Sequence, residues 1–255
     1  MELVYRPVIG LALTVFKALA WDIRVTGEEH LPTSGPAVIA TNHVGYLDFV
    51  FVGYAARPQG RLVRFLAKQE VFDHKISGPL MRGMKHIPVD RFGKAKDSVD
   101  ESVAALNRGE IIGMFPESTI NPSFVPGEGR SGAARMAMAA GAPLLPGAVW
   151  GSQRIMTKGR PRNFQRRVAI TVDIGAPIGY DPDEDPVDVT GRLMGEISGL
   201  VKRAGDAYPQ SPAGDSDRWW LPAHLGGTAP TAEAAAEMLA TERAARRRKR
   251  EEGES

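Results

Sequence analysis

The feature that most restricts this fold is an alternation. From residue 36 onward, apolar runs of strand length take turns with stretches of helical spacing. "PAVIATNH", "RLVRFLAK", "KHIPVDR", "IIGMFPE", "PLLPGAVWG" and "RRVAITVDIG" read as strands. "YLDFVFVGYAA", "KAKDSVDESVAALNRG" and "SGAARMAMAAG" read as helices, the last two closed by Gly109 and Gly141. Apolar strands joined through helices predict an α/β layered domain, with a mostly parallel central sheet flanked by helices. In such a domain the functional residues belong on loops at one edge of the sheet, beyond the strand ends. A further helix is expected from about Val187 to Ala207, then a loop, then a helix-prone tail.

The amino-terminal segment asks a separate question. Residues 8–21, "VIGLALTVFKALAW", are apolar except for Thr14 and Lys17. Fourteen residues make about 21 Å of helix, short of the roughly 30 Å bilayer core. On a helix, Gly10, Thr14, Lys17 and Trp21 share one narrow stripe. That pattern suits a helix in a membrane interface or one packed in a core; the interfacial position is the expectation. Ala18-Leu19-Ala20 has the form of a signal-peptide cleavage site. Yet Glu2 faces Arg6 where a basic region belongs, and Lys17 separates the apolar run from the cut, so the segment is expected to be retained.

Composition removes several chemistries. The chain has 255 residues and no cysteine, which excludes disulfides, thiolate zinc sites and a cysteine nucleophile. Its five histidines show no metal-ligand spacing, and no metal is expected. The net charge of +2 names no partner, but local charge is uneven. Residues 57–96 carry ten Lys/Arg against three acids, and residues 154–167 carry six with none. Two such runs point to an anionic surface or ligand, or to ordinary solvated charge. In the tail, six Lys/Arg are cancelled by six Glu, so a nucleic-acid partner is not expected.

The chemistry centres on "IATNHVGYLDF", where His43 precedes Asp48 by five residues. A histidine can take a proton from a hydroxyl near neutral pH, and a carboxylate can hold its tautomer. Five residues of regular helix leave two side chains about 140° apart. The pair therefore meets only if His43 lies in a loop and Asp48 in the first turns of the next helix, with Gly45 easing the loop. The other reading makes Asn42 and Asp48 helix caps and His43 a surface residue.

"NHVGYLD" resembles the NHxxxxD signature of glycerolipid acyltransferases of the 1-acylglycerol-3-phosphate acyltransferase family. "FLAKQEVF" with Lys68, "GMKHIPVDR" with Gly83 and Arg91, "MFPESTI" and "LLPGAVWG" around Pro146 are similar, in order, to that family's later segments. The resemblance spans residues 36–151 and implies acyl transfer from an acyl-thioester to the free glycerol hydroxyl of lysophosphatidate, giving phosphatidate. Acyl-CoA or acyl carrier protein would be the co-substrate, with no further cofactor. His43 would be the general base and Asp48 its orienting partner. Direct attack by the acceptor is the simplest route, since no serine stands in a G-x-S-x-G elbow. Lys68 and Arg91 would hold the acceptor phosphate, although Arg91 can equally pair with Asp90. Where the family has FPEGTR, this chain has Ser118 for the glycine and Ile120 for the arginine. Ser118, Thr119 and Arg130 are the expected substitutes, and Glu117 a hydrogen-bond organiser. Glycerol 3-phosphate or another lysophospholipid as acceptor is the alternative, as is a non-catalytic lipid-binding protein. The resulting division is a membrane-associated helix over 1–24, an acyltransferase domain over 25–210, and a loop with charged tail over 211–255. The expected setting is peripheral or monotopic, on the cytoplasmic face of the cell membrane.

Overall fold

The computed structural model describes residues 3–89 and 95–253, so the candidate Arg91 lies outside the described residues. In chain order the elements are α1 (Tyr5–Ala18), β1 (Asp22–Thr26), β2 (Ala37–Thr41), α2 (Asp48–Ala55), β3 (Val63–Lys68), α3 (Gln69–Asp73), α4 (Ser77–Gly83), β4 (Ile87–Val89), α5 (Ala95–Asn107), β5 (Ile111–Met114), α6 (Gly132–Ala140), β6 (Leu144–Trp150), β7 (Ala169–Ile174), α7 (Pro186–Asp206) and α8 (Ala232–Gly253). The seven strands form one sheet in the order β1-β7-β6-β2-β5-β3-β4. Every neighbouring pair is parallel except β6–β7. The fold is thus the expected α/β layering on a mostly parallel sheet.

Burial explains why the central strands were readable. All five residues of β2 and all seven of β6 are buried, because helices cover both faces. On one face, α5, α6 and α7 supply Leu106, Ala133, Met136, Leu193, Ile197 and Leu200. The last three recur at helical spacing, and each fully buried side chain contributes about 1.5–3 kcal/mol. The start of α7 is fixed by Asp185, whose carboxylate accepts from Val187 N–H at 2.8 Å, with Pro186 at the first helical position. Gly109 and Gly141 end α5 and α6 with φ of 79° and 58°, a conformation that costs other residues strain.

The other face holds α1 and α2. Phe16 of α1 stacks on Phe51 of α2 with centroids 5.5 Å apart, and the Tyr5 hydroxyl donates to the Val63 carbonyl at 2.8 Å. The apolar side of α1 therefore shares a core with the sheet. Its exposed stripe runs through Gly10, Leu11, Thr14 and Lys17. Trp21 leaves that stripe: it is buried, and its indole N–H donates to the Gln165 carbonyl at 2.9 Å. Among the described residues no helix is long and apolar enough to cross a membrane.

Three elements lacked a sequence signal. In β1, Asp22, Arg24 and Thr26 are exposed and only Ile23 and Val25 face inward, so it has no apolar run. The helices α3 and α4 are five and seven residues long, too short to show a period.

Candidate active site

Strands β2, β3, β5 and β6 run the same way, so their carboxyl ends share one edge of the sheet. Asn42, at the end of β2, is locked sideways onto β6. Its amide donates to the Val149 carbonyl at 3.0 Å and accepts from Val149 N–H at 2.8 Å. It pins the strand end and does not cap α2. The chain then turns outward at His43 and re-enters helix at Asp48.

That turn brings the pair together as the spacing argument requires, with His43 Nδ1 2.9 Å from Asp48 Oδ2. Asp48 is fully buried, and the same oxygen accepts from Val44 N–H at 2.8 Å and Gly45 N–H at 2.9 Å. Those two backbone donors belong to the loop before α2 and not to its first turn, so Asp48 ties the loop and pairs with His43 without capping the helix. An oxygen that already accepts from two backbone N–H groups takes Nδ1–H as its third donor, which leaves Nε2 as the accepting nitrogen of the ring. The imidazole lies flat on Phe115 at the end of β5, with centroids 4.1 Å apart and planes 13° apart. Stacking and hydrogen bond together fix the ring, whose side chain keeps 19% of its surface open to solvent.

Two residues absent from the sequence expectations complete this set. Ser152, buried just past β6, donates through Oγ to Asp48 Oδ1, the carboxylate oxygen that His43 does not use. Thr157 Oγ donates to the Val44 carbonyl at 2.7 Å, and Tyr46 N–H donates to the Met156 carbonyl at 2.8 Å. Residues 152–157 thus clamp the catalytic loop. Gly45 is needed for this approach: a Cβ there would sit 2.9 Å from Ser152 Oγ and 3.1 Å from the Met156 carbonyl oxygen. Close packing, not unusual φ, is what the glycine supplies. The sole sequence signal for Ser152 was its place directly after the "LLPGAVWG" segment.

Glu117 organises the facing loop. Its Oε1 accepts from His43 N–H at 3.3 Å, and its Oε2 accepts from the Asn121 amide at 3.0 Å and Gly127 N–H at 3.0 Å. Burial holds its carboxyl above the usual range, against the pull of these donors. The loop is joined to His43 again through Asn121 N–H, which donates to the His43 carbonyl at 3.1 Å. Ser118 takes φ of 60°, a left-handed shape that favours glycine, and its N–H donates to the Phe115 carbonyl at 2.9 Å. Thr119 is half-buried beside it, whereas Ile120 is buried and turned from solvent.

The basic candidates fall at the same edge. Lys68 is the last residue of β3, which runs beside β5. Arg130 N–H donates to the Pro116 carbonyl at 3.0 Å, and its side chain is exposed two residues before α6. Three other cations of the two basic runs prove structural. Buried Arg64 pairs with Glu110 at 2.8 Å, and Arg61 donates to the carbonyls of Pro32, Gly35 and Gly109. Arg154 is buried over Trp220 and donates to Gln210 at 2.6 Å. His86, accepting from Phe65 N–H at 2.9 Å, is held near a pKa of about 4 by burial and by Arg64, so it is a neutral core histidine.

Comparison with known proteins agrees with this geometry. Residues 22–150, the stretch from β1 to the end of β6, match the model of the family described as Acyltransferase. A 1-acyl-sn-glycerol-3-phosphate acyltransferase of Bacillus subtilis (strain 168) is 33% identical over 140 residues, covering 55% of this chain and 68% of the relative. A chloroplastic 1-acyl-sn-glycerol-3-phosphate acyltransferase of Arabidopsis thaliana is 29% identical over 142 residues, covering 54% of this chain and 39% of the relative. The crystal structure of the 1-acyl-sn-glycerophosphate acyltransferase PlsC from Thermotoga maritima shares the fold, with a TM-score of 0.64 over 80% of this chain and 81% of that one at 19% identity. With a family match over half its length and the His43–Asp48 pair inside the matched stretch, this chain belongs to the Acyltransferase family and is an acyltransferase.

Proposed function

We propose that the enzyme transfers a fatty acyl group from an acyl-thioester to the free glycerol hydroxyl of lysophosphatidate, giving phosphatidate. The observation that carries this reading is the bond between His43 Nδ1 and the buried carboxylate of Asp48. In the proposed reaction, Nε2 takes the acceptor hydroxyl proton as the oxygen attacks the thioester carbonyl. The tetrahedral intermediate collapses, the carbon–sulfur bond breaks, and the thiolate leaves with the proton returned by the imidazolium. Asp48 orients the ring and stabilises that imidazolium. No cysteine is available for a thioester intermediate, so direct attack is the economical route. Acyl-CoA or acyl carrier protein would supply the thioester. Lys68, Arg91, Ser118, Thr119 and Arg130 are proposed to hold the acceptor phosphate.

The names of the Bacillus and Arabidopsis relatives support lysophosphatidate as acceptor. The buried Ile120, standing where the motif carries an arginine, favours a second reading in which glycerol 3-phosphate or another lysophospholipid accepts. Such an acceptor or its product belongs to a bilayer, so the proposed setting is peripheral, on the cytoplasmic face of the membrane. Release of free CoA from acyl-CoA should depend on an added acceptor. A panel of lysophosphatidate, glycerol 3-phosphate and lysophosphatidylcholine decides between the two readings. Acceptor-independent thiol release, or none with any of the three, would contradict both.

A further inference from the structure

Between β6 and β7 the chain makes a long excursion. Its backbone is tied at several points: Asn163 N–H donates to the Ile155 carbonyl at 2.7 Å, and Arg167 N–H to the Leu19 carbonyl at 2.9 Å. The Trp21 indole bond to Gln165 adds another tie to the carboxyl end of α1. At its start the same excursion carries Met156 and Thr157, which grip the catalytic loop. It therefore bridges α1 and the loop that bears His43 and Asp48.

This tied backbone presents an unusual set of side chains. Residues 159–167 are all exposed, and among them Phe164 keeps 49% of its surface in solvent. Around it stand Arg160, Arg162, Arg166 and Arg167, with no acid anywhere from 154 to 167. Arg160 lies over the Trp219 ring at 5.0 Å, and Lys158 pairs with Glu242 of α8. Arg162, Arg166 and Arg167 flank the phenylalanine. The neighbouring surfaces continue the pattern: α1 exposes Leu11 and Lys17, and the catalytic loop exposes Tyr46.

We infer that the 160–167 segment is a lipid-docking element that seats the enzyme on a bilayer rich in anionic lipid, with Phe164 at headgroup depth and Arg162, Arg166 and Arg167 against lipid phosphates. Cations around an exposed aromatic match both parts of an interface, the anionic surface and the apolar layer beneath it. An acidic protein partner would match the charge alone. Because residues 156 and 157 grip the catalytic loop, docking here brings the His43 edge of the sheet toward the membrane surface, which rests on the lipid acceptor proposed above. The exposed Leu11 and Lys17 of α1 then extend the same contact.

The test is co-sedimentation of the full chain with vesicles of phosphatidylcholine, with and without phosphatidylglycerol. The wild type is compared with Arg162→Gln/Arg166→Gln and with Phe164→Ser. Each arginine that reaches the surface is worth about fivefold in partition, so the double variant should lose about 25-fold on anionic vesicles at low salt. Phe164→Ser should weaken binding at high salt as well, since the apolar contribution is unscreened. Thiol release with detergent-dispersed lysophosphatidate should stay at wild-type level in both variants, while release with vesicle-borne lysophosphatidate falls with partition. Variants that sediment as well as wild type would overturn the docking surface. So would losses confined to acyl carrier protein as donor, which would give the surface to that acidic protein. If sedimentation falls as expected but no presentation of lysophosphatidate releases thiol, docking stands and the proposed acceptor fails.

Discussion

Replacing Ser152 by alanine tests whether the His43–Asp48 pair depends on a third member. Ser152 Oγ donates to Asp48 Oδ1 in a site where Asp48 has no solvent exposure. Removing the hydroxyl leaves that oxygen without this donor and without water to replace it. Taking one donor from a buried charged acceptor costs about 1.5–3 kcal/mol. If the cost falls on the transition state, kcat/KM drops by about 10- to 150-fold. Val44 N–H, Gly45 N–H and His43 Nδ1 still hold Oδ2, so the pair should loosen and not dissolve. The loss should fall on kcat with KM held, where a disturbed acceptor site would raise KM. The assay is CoA release from acyl-CoA over a range of lysophosphatidate concentrations, beside urea unfolding of both proteins. Activity within twofold of wild type, or a loss carried by KM alone, would refute the reasoning.

Three further outcomes are expected. Phe16→Ala should destabilise the fold by about 3–5 kcal/mol, because Phe16 packs against Phe51 and Trp21 in the core; a small change in the urea midpoint would mean that α1 is only loosely attached. His86 has its pKa lowered from 6.5 to about 4, so between those values the unfolded chain binds a proton that the folded chain refuses. Stability should fall by about 3 kcal/mol as pH drops through that window, and His86→Gln, followed by urea unfolding, should remove that dependence. Arg130→Ala should weaken a phosphate-bearing acceptor by roughly tenfold, as loss of one charge-assisted contact does; equal losses with a phosphate-free acceptor would make it structural.

How much of this was legible depended on where each signal lay in the chain. The strands β2, β5 and β6 announced themselves because both faces are buried, which forces an unbroken apolar run. Strand β1 did not, since its exposed Asp22, Arg24 and Thr26 interrupt any pattern. The reversal of β7 against β6 was also hidden, because direction is settled by the path of residues 152–168 and not by strand composition. The His43–Asp48 contact could be argued from helical geometry over five residues. The Ser152 contact with Asp48 bridges 104 residues, and no local rule reaches that far. Charge misled where burial was invisible: Arg61, Arg64 and Arg154 look like surface cations in sequence but serve the fold. Asp48 was read as either a cap or a partner of His43; it pairs with His43, and the same oxygen ties the loop before α2 without capping the helix.

The claim at the centre of this account is that His43, aligned by Asp48, accepts the proton of the attacking hydroxyl. The direct measurement is acceptor-dependent CoA release by His43→Ala, with urea unfolding as the control for folding. The ring is half-buried and stacked on Phe115, so its loss should leave the fold intact. Turnover should fall by at least roughly 10²–10⁴-fold, the range a general base contributes. A folded His43→Ala protein with near wild-type turnover would contradict the mechanism.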